Sequence, residues 1–173
     1  MIFGTKVNLR PFSVEDLDYL HRWNNDPEYS GQFEPSDRIS REELLKWLSN
    51  EKDELWYIIE TKDQVKIGQM VGRVKNEKTI EIGYRVIPAA RNLGYCTDAV
   101  NIFIGHLFSG EVLKVIAESN PKNSASRRVL EKSGFREVGY RKKALEVNGV
   151  WLDAVLYEMI RDNWYTQQDG MGK

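Results

Sequence analysis

Cysteine occurs once in this chain, as Cys96, so no intrachain disulfide can form and a disulfide-stapled scaffold is excluded. That usage fits a reducing compartment. Histidine occurs twice, as His21 and His106, and neither has a ligand-spaced neighbour, so no metal site is expected. No run approaches the ~20 apolar residues of a membrane span. The opening Met1-Ile2-Phe3-Gly4-Thr5-Lys6 lacks the apolar core of a secretory leader. Charge of one sign is not in excess, with 25 Lys and Arg against 26 Asp and Glu and a net charge of -1. A dedicated nucleic-acid binder is usually clearly basic, so none is expected, although a local basic patch for phosphate stays open. No Pro/Gly/Ser linker, low-complexity run or internal repeat divides the chain. What remains is a cytoplasmic enzyme or binding module with no membrane attachment.

The residues present suit one globular unit. The 173 residues are 41% hydrophobic and 29% charged, enough for one sizeable core. The expected domain covers 1–162, and 163–173 reads as a polar, loosely held tail. Val7-Asn8-Leu9-Arg10 alternates as a short strand that Pro11 ends. Ser13 with Asp16 resembles a capping box, and Val14, Leu17 and Leu20 share a helix face that should stop near Asp26-Pro27. Ser40 with Glu43 opens a second helix, with Leu44, Leu45, Trp47 and Leu48 as its apolar stripe. Strands over 55–60, 67–75 and 79–87 follow as an antiparallel meander. Helical spacing returns at Ala99, Val100, Phe103, Ile104 and Leu107. A buried-type strand over 112–117 precedes a helix with Ala125, Val129 and Leu130, stopped by Gly134. A long hairpin, 135–147 and 150–160, turns at Asn148-Gly149. The order β-α-α-β-β-β-α-β-α-β-β gives an α/β (α+β) fold, a mixed, mostly antiparallel central sheet flanked by helices.

The chemistry concentrates at two strand-to-helix junctions. In Ile87-Pro88-Ala89-Ala90-Arg91-Asn92-Leu93-Gly94-Tyr95-Cys96-Thr97 a strand ends and a helix begins near Tyr95. The first amides of a helix have no internal partner and sit at the positive end of its dipole, so such an end attracts anions. Gly94 lets the backbone approach a phosphate, and Arg91 can add a charge-assisted hydrogen bond. On this segment alone, phosphate binding and a plain loop with a surface arginine stand level.

The second junction is Asn123-Ser124-Ala125-Ser126-Arg127-Arg128-Val129-Leu130-Glu131-Lys132-Ser133-Gly134-Phe135. The turn at Arg91 resembles the Arg/Gln-x-x-Gly-x-Gly/Ala motif of the GNAT superfamily of N-acetyltransferases. The second segment resembles that superfamily's Asn-x-x-Ser-x-x-x-x-Glu-Lys-x-Gly-Phe motif, in the expected order. Leu9-Arg10-Pro11 and Asp26-Pro27-Glu28 resemble the branch containing the ribosomal-protein N-terminal acetyltransferases. The likeness spans about residues 5–162.

The resemblance implies a GNAT-like sheet, acetyl-CoA as co-substrate and direct attack by a primary amine, on a small molecule or a peptide. It implies that the amides of Asn92, Leu93, Gly94, Tyr95, Cys96 and Thr97, beside Arg91, wrap the CoA pyrophosphate. The backbone of Tyr84, Arg85, Val86 and Ile87 would pair with the pantetheine arm as an added strand. Asn123 and Ser126 would meet the arm, and one of the basic residues Arg127, Arg128 and Lys132, with Arg128 the choice, the 3′-phosphate. Taken singly, each of these cations also reads as part of a solvated helix face. Cys96 departs from the small residue of the motif. As a lone cysteine it reads as a small packing residue rather than a nucleophile.

For the reaction, Glu81 is the candidate base, and the alternative is a solvated strand glutamate or one paired with Arg85. Ser126 is the candidate acid, against a helix serine bonding its own backbone. The tyrosine many relatives use is replaced by Leu130, which makes Tyr140 a substitute candidate. Glu146 could help hold the amine or sit exposed. Trp23, Tyr29 and Phe33 are candidates for the acceptor-pocket wall or for core packing. A homodimer is among the expectations for the resembling branch. The competing reading is a CoA-binding sensor or interaction module that has lost turnover.

Overall fold

A computed structural model describes residues 1–34, 38–49 and 53–171, with side chains to residue 168. Eight strands form one sheet in the order β1-β2-β3-β4-β5-β6-β8-β7. They are β1 (Ile2–Phe3), β2 (Val7–Pro11), β3 (Glu54–Thr61), β4 (Lys66–Asn76), β5 (Thr79–Val86), β6 (Lys114–Ser119), β7 (Arg136–Val147) and β8 (Val150–Ile160). All neighbours are antiparallel except β5 and β6, which the intervening helix makes parallel. The helices are α1 (Leu17–Asn24), α2 (Pro27–Ser30), α3 (Arg41–Leu48), α4 (Tyr95–Phe108), α5 (Ser124–Lys132) and α6 (Arg161–Met171). The meander β3-β4-β5 and the β7-β8 hairpin match the expectations from the sequence. The hairpin turn has positive φ at Asn148 (51°) and Gly149 (77°), the conformation that dipeptide favours.

Strand alternation divides the apolar residues between two cores. Ile59, Met70, Ile80 and Ile82 pack with Val100, Phe103 and Ile104 of α4. Ile58, one residue from Ile59, packs on the other side with Leu20, Trp23 and Leu44 of α1 and α3. Both faces of β3 are therefore covered, which explains its unbroken apolar run. The stripe expected on α3 is narrower: Leu44 is buried, while Leu45 and Trp47 are exposed.

Two expectations change. Helix α2 is a single extra turn, capped by the Asp26 side chain, which accepts from the Glu28 amide at 2.9 Å. The loosely held tail is instead helix α6 to residue 171, and residues 172–173 lie outside the described residues. Trp164 is buried against Phe108, and the Tyr165 hydroxyl donates to the Phe108 carbonyl at 3.2 Å. Two aromatic anchors outweigh a polar composition. Among the described residues, no helix is long and apolar enough to cross a membrane.

Candidate active site

The parallel pair β5-β6 is joined only at Thr79, Ile80 and Glu81, opposite Lys114, Val115 and Ile116. Beyond Glu81 the two strands part. On the other edge, β5 stays paired with β4 as far as the Ile87 amide, which donates to the Ile67 carbonyl at 2.8 Å. Antiparallel alternation then turns the N–H and C=O groups of Tyr84 and Val86 away from β4 and into the gap. The result is a short unpaired strand edge lining a cleft of about 830 Å³.

The turn before α4 closes one end of this cleft. Asn92 and Gly94 both have positive φ, 62° and 81°, which Asn tolerates and Gly adopts without strain. The first helical bond runs from the Asp98 amide to the Gly94 carbonyl (3.1 Å). The amides of Tyr95, Cys96 and Thr97 precede it and have no partner within the helix. Lys6, which sequence reasoning missed, donates from Nζ to the Leu93 carbonyl at 2.9 Å. Asp98 accepts from the amides of Lys6 (2.7 Å) and Val7 (2.9 Å). The β1-β2 connection is thus strapped onto the turn. Arg91 donates to the carbonyls of Glu28 and Tyr29 on α2, tying the turn to the opposite wall.

Helix α5 supplies the facing wall. Asn123 caps it, its side-chain oxygen accepting from the Ser126 amide at 3.1 Å, which explains the Asn-x-x-Ser spacing. The Tyr84 hydroxyl donates to the Ser126 carbonyl at 3.2 Å and lies 3.3 Å from its Oγ. Burial pushes the Tyr84 phenol above its ordinary value, so it stays protonated at neutral pH. Arg128 and Lys132, one helical turn apart, both line the cleft. Arg127 turns away to Tyr157, at 2.9 Å.

Most expected residues therefore converge: Tyr84, Arg85, Val86, Arg91, Asn92, Gly94, Tyr95, Cys96, Thr97, Asn123, Ser126 and Arg128 line one cleft. Ile87 and Leu93 are not among the lining residues; the Ile87 amide bonds the Ile67 carbonyl, and the Leu93 carbonyl accepts from Lys6. Burial pushes the Cys96 thiol up to about 12, which suits a packing residue and not a nucleophile. Glu81 is not among the lining residues. It is a paired glutamate, with Lys75 at 3.0 Å and Arg73 at 3.8 Å as partners in place of Arg85. Arg85 pairs with Glu34 at 2.8 Å, a cleft residue that sequence reasoning missed. Tyr140 is exposed, and its hydroxyl donates to Asp153 at 2.6 Å, so it is not brought to the cleft. Glu146 is exposed beside the hairpin turn, opposite Trp151. Tyr29 and Phe33 line the cleft, while Trp23 is buried behind Tyr29 and stacks on it at 5.5 Å. Among the described residues, no group of acids, histidines or cysteine could hold a metal ion.

The arrangement fits a ligand with an anionic centre, a narrow amide-bearing arm and a reactive end. Unpartnered helix amides face the anion, a free strand edge faces the arm, and two hydroxyls meet beside it. Residues 6–136 match the model of the acetyltransferase (GNAT) domain family. The uncharacterized N-acetyltransferase YnaD of Bacillus subtilis is 26% identical over 164 residues, covering 92% of this chain and 96% of its own. Among solved structures, a GNAT-family acetyltransferase from Bacillus anthracis superposes with a TM-score of 0.80 at 24% identity, covering 93% of this chain and 98% of that one. The spermidine N-acetyltransferase of Vibrio cholerae, solved with CoA and spermine, superposes with a TM-score of 0.82 at 20% identity, over 92% and 98%. The family match spans well over half the chain: this chain belongs to the GNAT family and is an acetyl-CoA-dependent acetyltransferase.

Proposed function

We propose that the chain acetylates a primary amine by direct attack, with the CoA pyrophosphate on the turn from Arg91 to Thr97 and the pantetheine arm along β5. The observation that carries this reading is the parting of β5 from β6 after Glu81, which leaves the Tyr84 and Val86 backbone groups free beside the turn. Acetyl-CoA supplies an acetyl group as a thioester; the amine nitrogen gains the acetyl carbon, the carbon–sulfur bond breaks, the amine loses a proton and the thiolate takes one up. The residues of the chain position these groups and move the protons. Asn123 and the β5 edge hold the arm, and Arg128 and Lys132 attract the 3′-phosphate. Ser126 and Tyr84 form the hydroxyl pair nearest the parted strands and supply the thiolate's proton. Glu34, the carboxylate paired inside the cleft, receives the ammonium, while Glu81 stays with Lys75 and Arg73.

The acceptor is a protein N-terminus or a small-molecule amine. Leu9-Arg10-Pro11 and Asp26-Pro27-Glu28 support kinship with the ribosomal-protein branch, and the Vibrio cholerae neighbours support small amines. Thiol release from acetyl-CoA across an amine panel, beside thermal stabilisation by CoA, tests the reading. Acceptor-dependent release with stabilisation is expected. Stabilisation without release would point to the CoA-binding sensor, and neither would remove the site assignment.

A further inference from the structure

We propose that the acceptor is an amino-carboxylate, a small molecule of amino-acid type that carries a carboxylate close to the amine being acetylated. The proposal rests on the acyl-transfer reading and narrows its acceptor. The acceptor end of the cleft is set by Arg85 on β5 and Glu34 after α2, whose charged groups meet at 2.8 Å. Both side chains are partly shielded, 26% and 45% exposed. Along the same face of β5 the register brings Arg73 opposite Glu81 and Val71 opposite Gly83. A Cβ on Gly83 would lie 3.6 Å from the Arg73 guanidinium, so that cation covers the strand next to Arg85. Lys75 and Arg73 hold Glu81, and Arg73 also holds Glu54 at 3.0 Å. Among the described residues, Glu34, Glu54 and Glu81 on this side of the sheet are thus each matched by a cation.

A simple ammonium could take the place of Arg85 beside Glu34 only by leaving a guanidinium in the cleft without a counter-charge. Water offsets part of that loss at a pair 26% and 45% exposed, but the guanidinium still gives up its charge-assisted partner. A polyamine would add further ammonium groups to a cleft that Arg85, Arg91, Arg128 and Lys132 also line. An amino-carboxylate satisfies both members at once. Its ammonium replaces Arg85 beside Glu34, and its carboxylate meets the planar fork of Arg85, which suits two parallel hydrogen bonds. The transfer balances as before: the ammonium first gives one proton to solvent to become the neutral nucleophile, one N–C bond forms, one C–S bond breaks, and a second proton passes from the nitrogen to the thiolate.

Thiol release from acetyl-CoA by the intact chain, with amines paired so that each differs from its mate by one carboxylate, tests this. Lysine with cadaverine, tyrosine with tyramine, 4-aminobutyrate with propylamine, and spermidine form the panel. For at least one pair, kcat/KM of the acid should exceed that of its mate by about tenfold or more, because the mate leaves a built charge site unpaired. Arg85→Gln should collapse that ratio toward one, and Arg85→Lys should keep part of it. The CoA-induced rise in melting temperature, read on every variant, reports folding and the cofactor site separately. Where Arg85→Gln does not fold, Glu34→Gln carries the test through a raised KM for the acid. Preference for the carboxylate-free mates or spermidine, no turnover of any acid, or a ratio that survives Arg85→Gln would overturn the proposal. Loss of the CoA-induced shift in the wild-type chain would instead overturn the cofactor reading beneath it.

Discussion

Two hydroxyls, one aromatic and one aliphatic, meet where the strands part. Tyr84 reaches Ser126 from the neighbouring strand, and burial keeps its phenol protonated, so the pair can deliver a proton without first having to acquire one. Tyr84→Phe should lower kcat by about a hundredfold or more, the range for one positioned acid, and move KM for acetyl-CoA by less than about threefold. Steady-state thiol release measures both. An unchanged kcat would transfer the role to Ser126 alone. Ser126 and Asn123 were legible through the motif resemblance, whose Asn-x-x-Ser spacing one cap bond explains. The Tyr84 phenol was legible only in part: alternation turned it toward the face of Ile80 and Ile82, yet nothing in the spacing joined it to a serine 42 positions away. Glu34 was hidden for the same reason, being 51 residues from Arg85. Tyr140 was a reasonable substitute on residue type, and the Asp153 hydrogen bond on its own hairpin takes it elsewhere.

Strand β5 is the element on which the site depends, and Gly68 of β4 sets its position. A Cβ at Gly68 would sit 2.1 Å from the Arg85 carbonyl oxygen and 2.9 Å from the Val86 Cα, both backbone atoms that move only if β5 moves. Gly68→Ala should destabilise the fold by about 1–3 kcal/mol, the usual cost of overpacking, and weaken CoA binding through the displaced edge. Denaturant unfolding and a CoA titration on the same samples check the two effects. Full stability with wild-type affinity would show that β5 has slack. Most elements could be read in advance because capping boxes, the Asn148-Gly149 turn and apolar periodicity act within a few residues. Helix α6 escaped because its docking rests on Trp164 and Tyr165 meeting Phe108, which periodicity over a polar segment does not reveal.

At the scale of the molecule, the sheet is locked to its α1 side by a buried ionic knot. Asp16 is fully buried and accepts from Arg10 at 2.7 and 2.8 Å, from Lys66 at 2.7 Å and from the Ser13 amide at 2.9 Å, while Arg10 also reaches Glu60. Burial alone would raise the Asp16 carboxyl, but the hydrogen bonds from Arg10, Lys66 and Ser13 overcome it and hold the group well below the usual carboxylate range. A depressed carboxyl contributes stability that is present above its unfolded value and lost as pH falls toward its folded value. Asp16→Asn should therefore cost about 3 kcal/mol near pH 7, and the gap from wild type should narrow below about pH 4. Denaturant curves across that range test it, and a gap independent of pH would contradict it. The sheet order was only partly legible. The meander and hairpin follow from short turns, whereas the insertion of β8 between β6 and β7 and the early parting of β5 from β6 are tertiary facts.

The claim that joins these scales is that the turn from Arg91 to Thr97 grips the cofactor. Gly94 holds φ at 81°, and a Cβ there would sit 2.9 Å from Lys6 Nζ, so a branched side chain would strain the turn and unseat its lysine strap together. Calorimetric titration of CoA into the wild-type chain and Gly94→Val needs no acceptor and measures the grip directly. The predicted result is saturable binding to the wild type and affinity at least about tenfold lower in the variant, with both proteins folded. Equal affinity for the two proteins, or no binding to the wild type, would contradict the account.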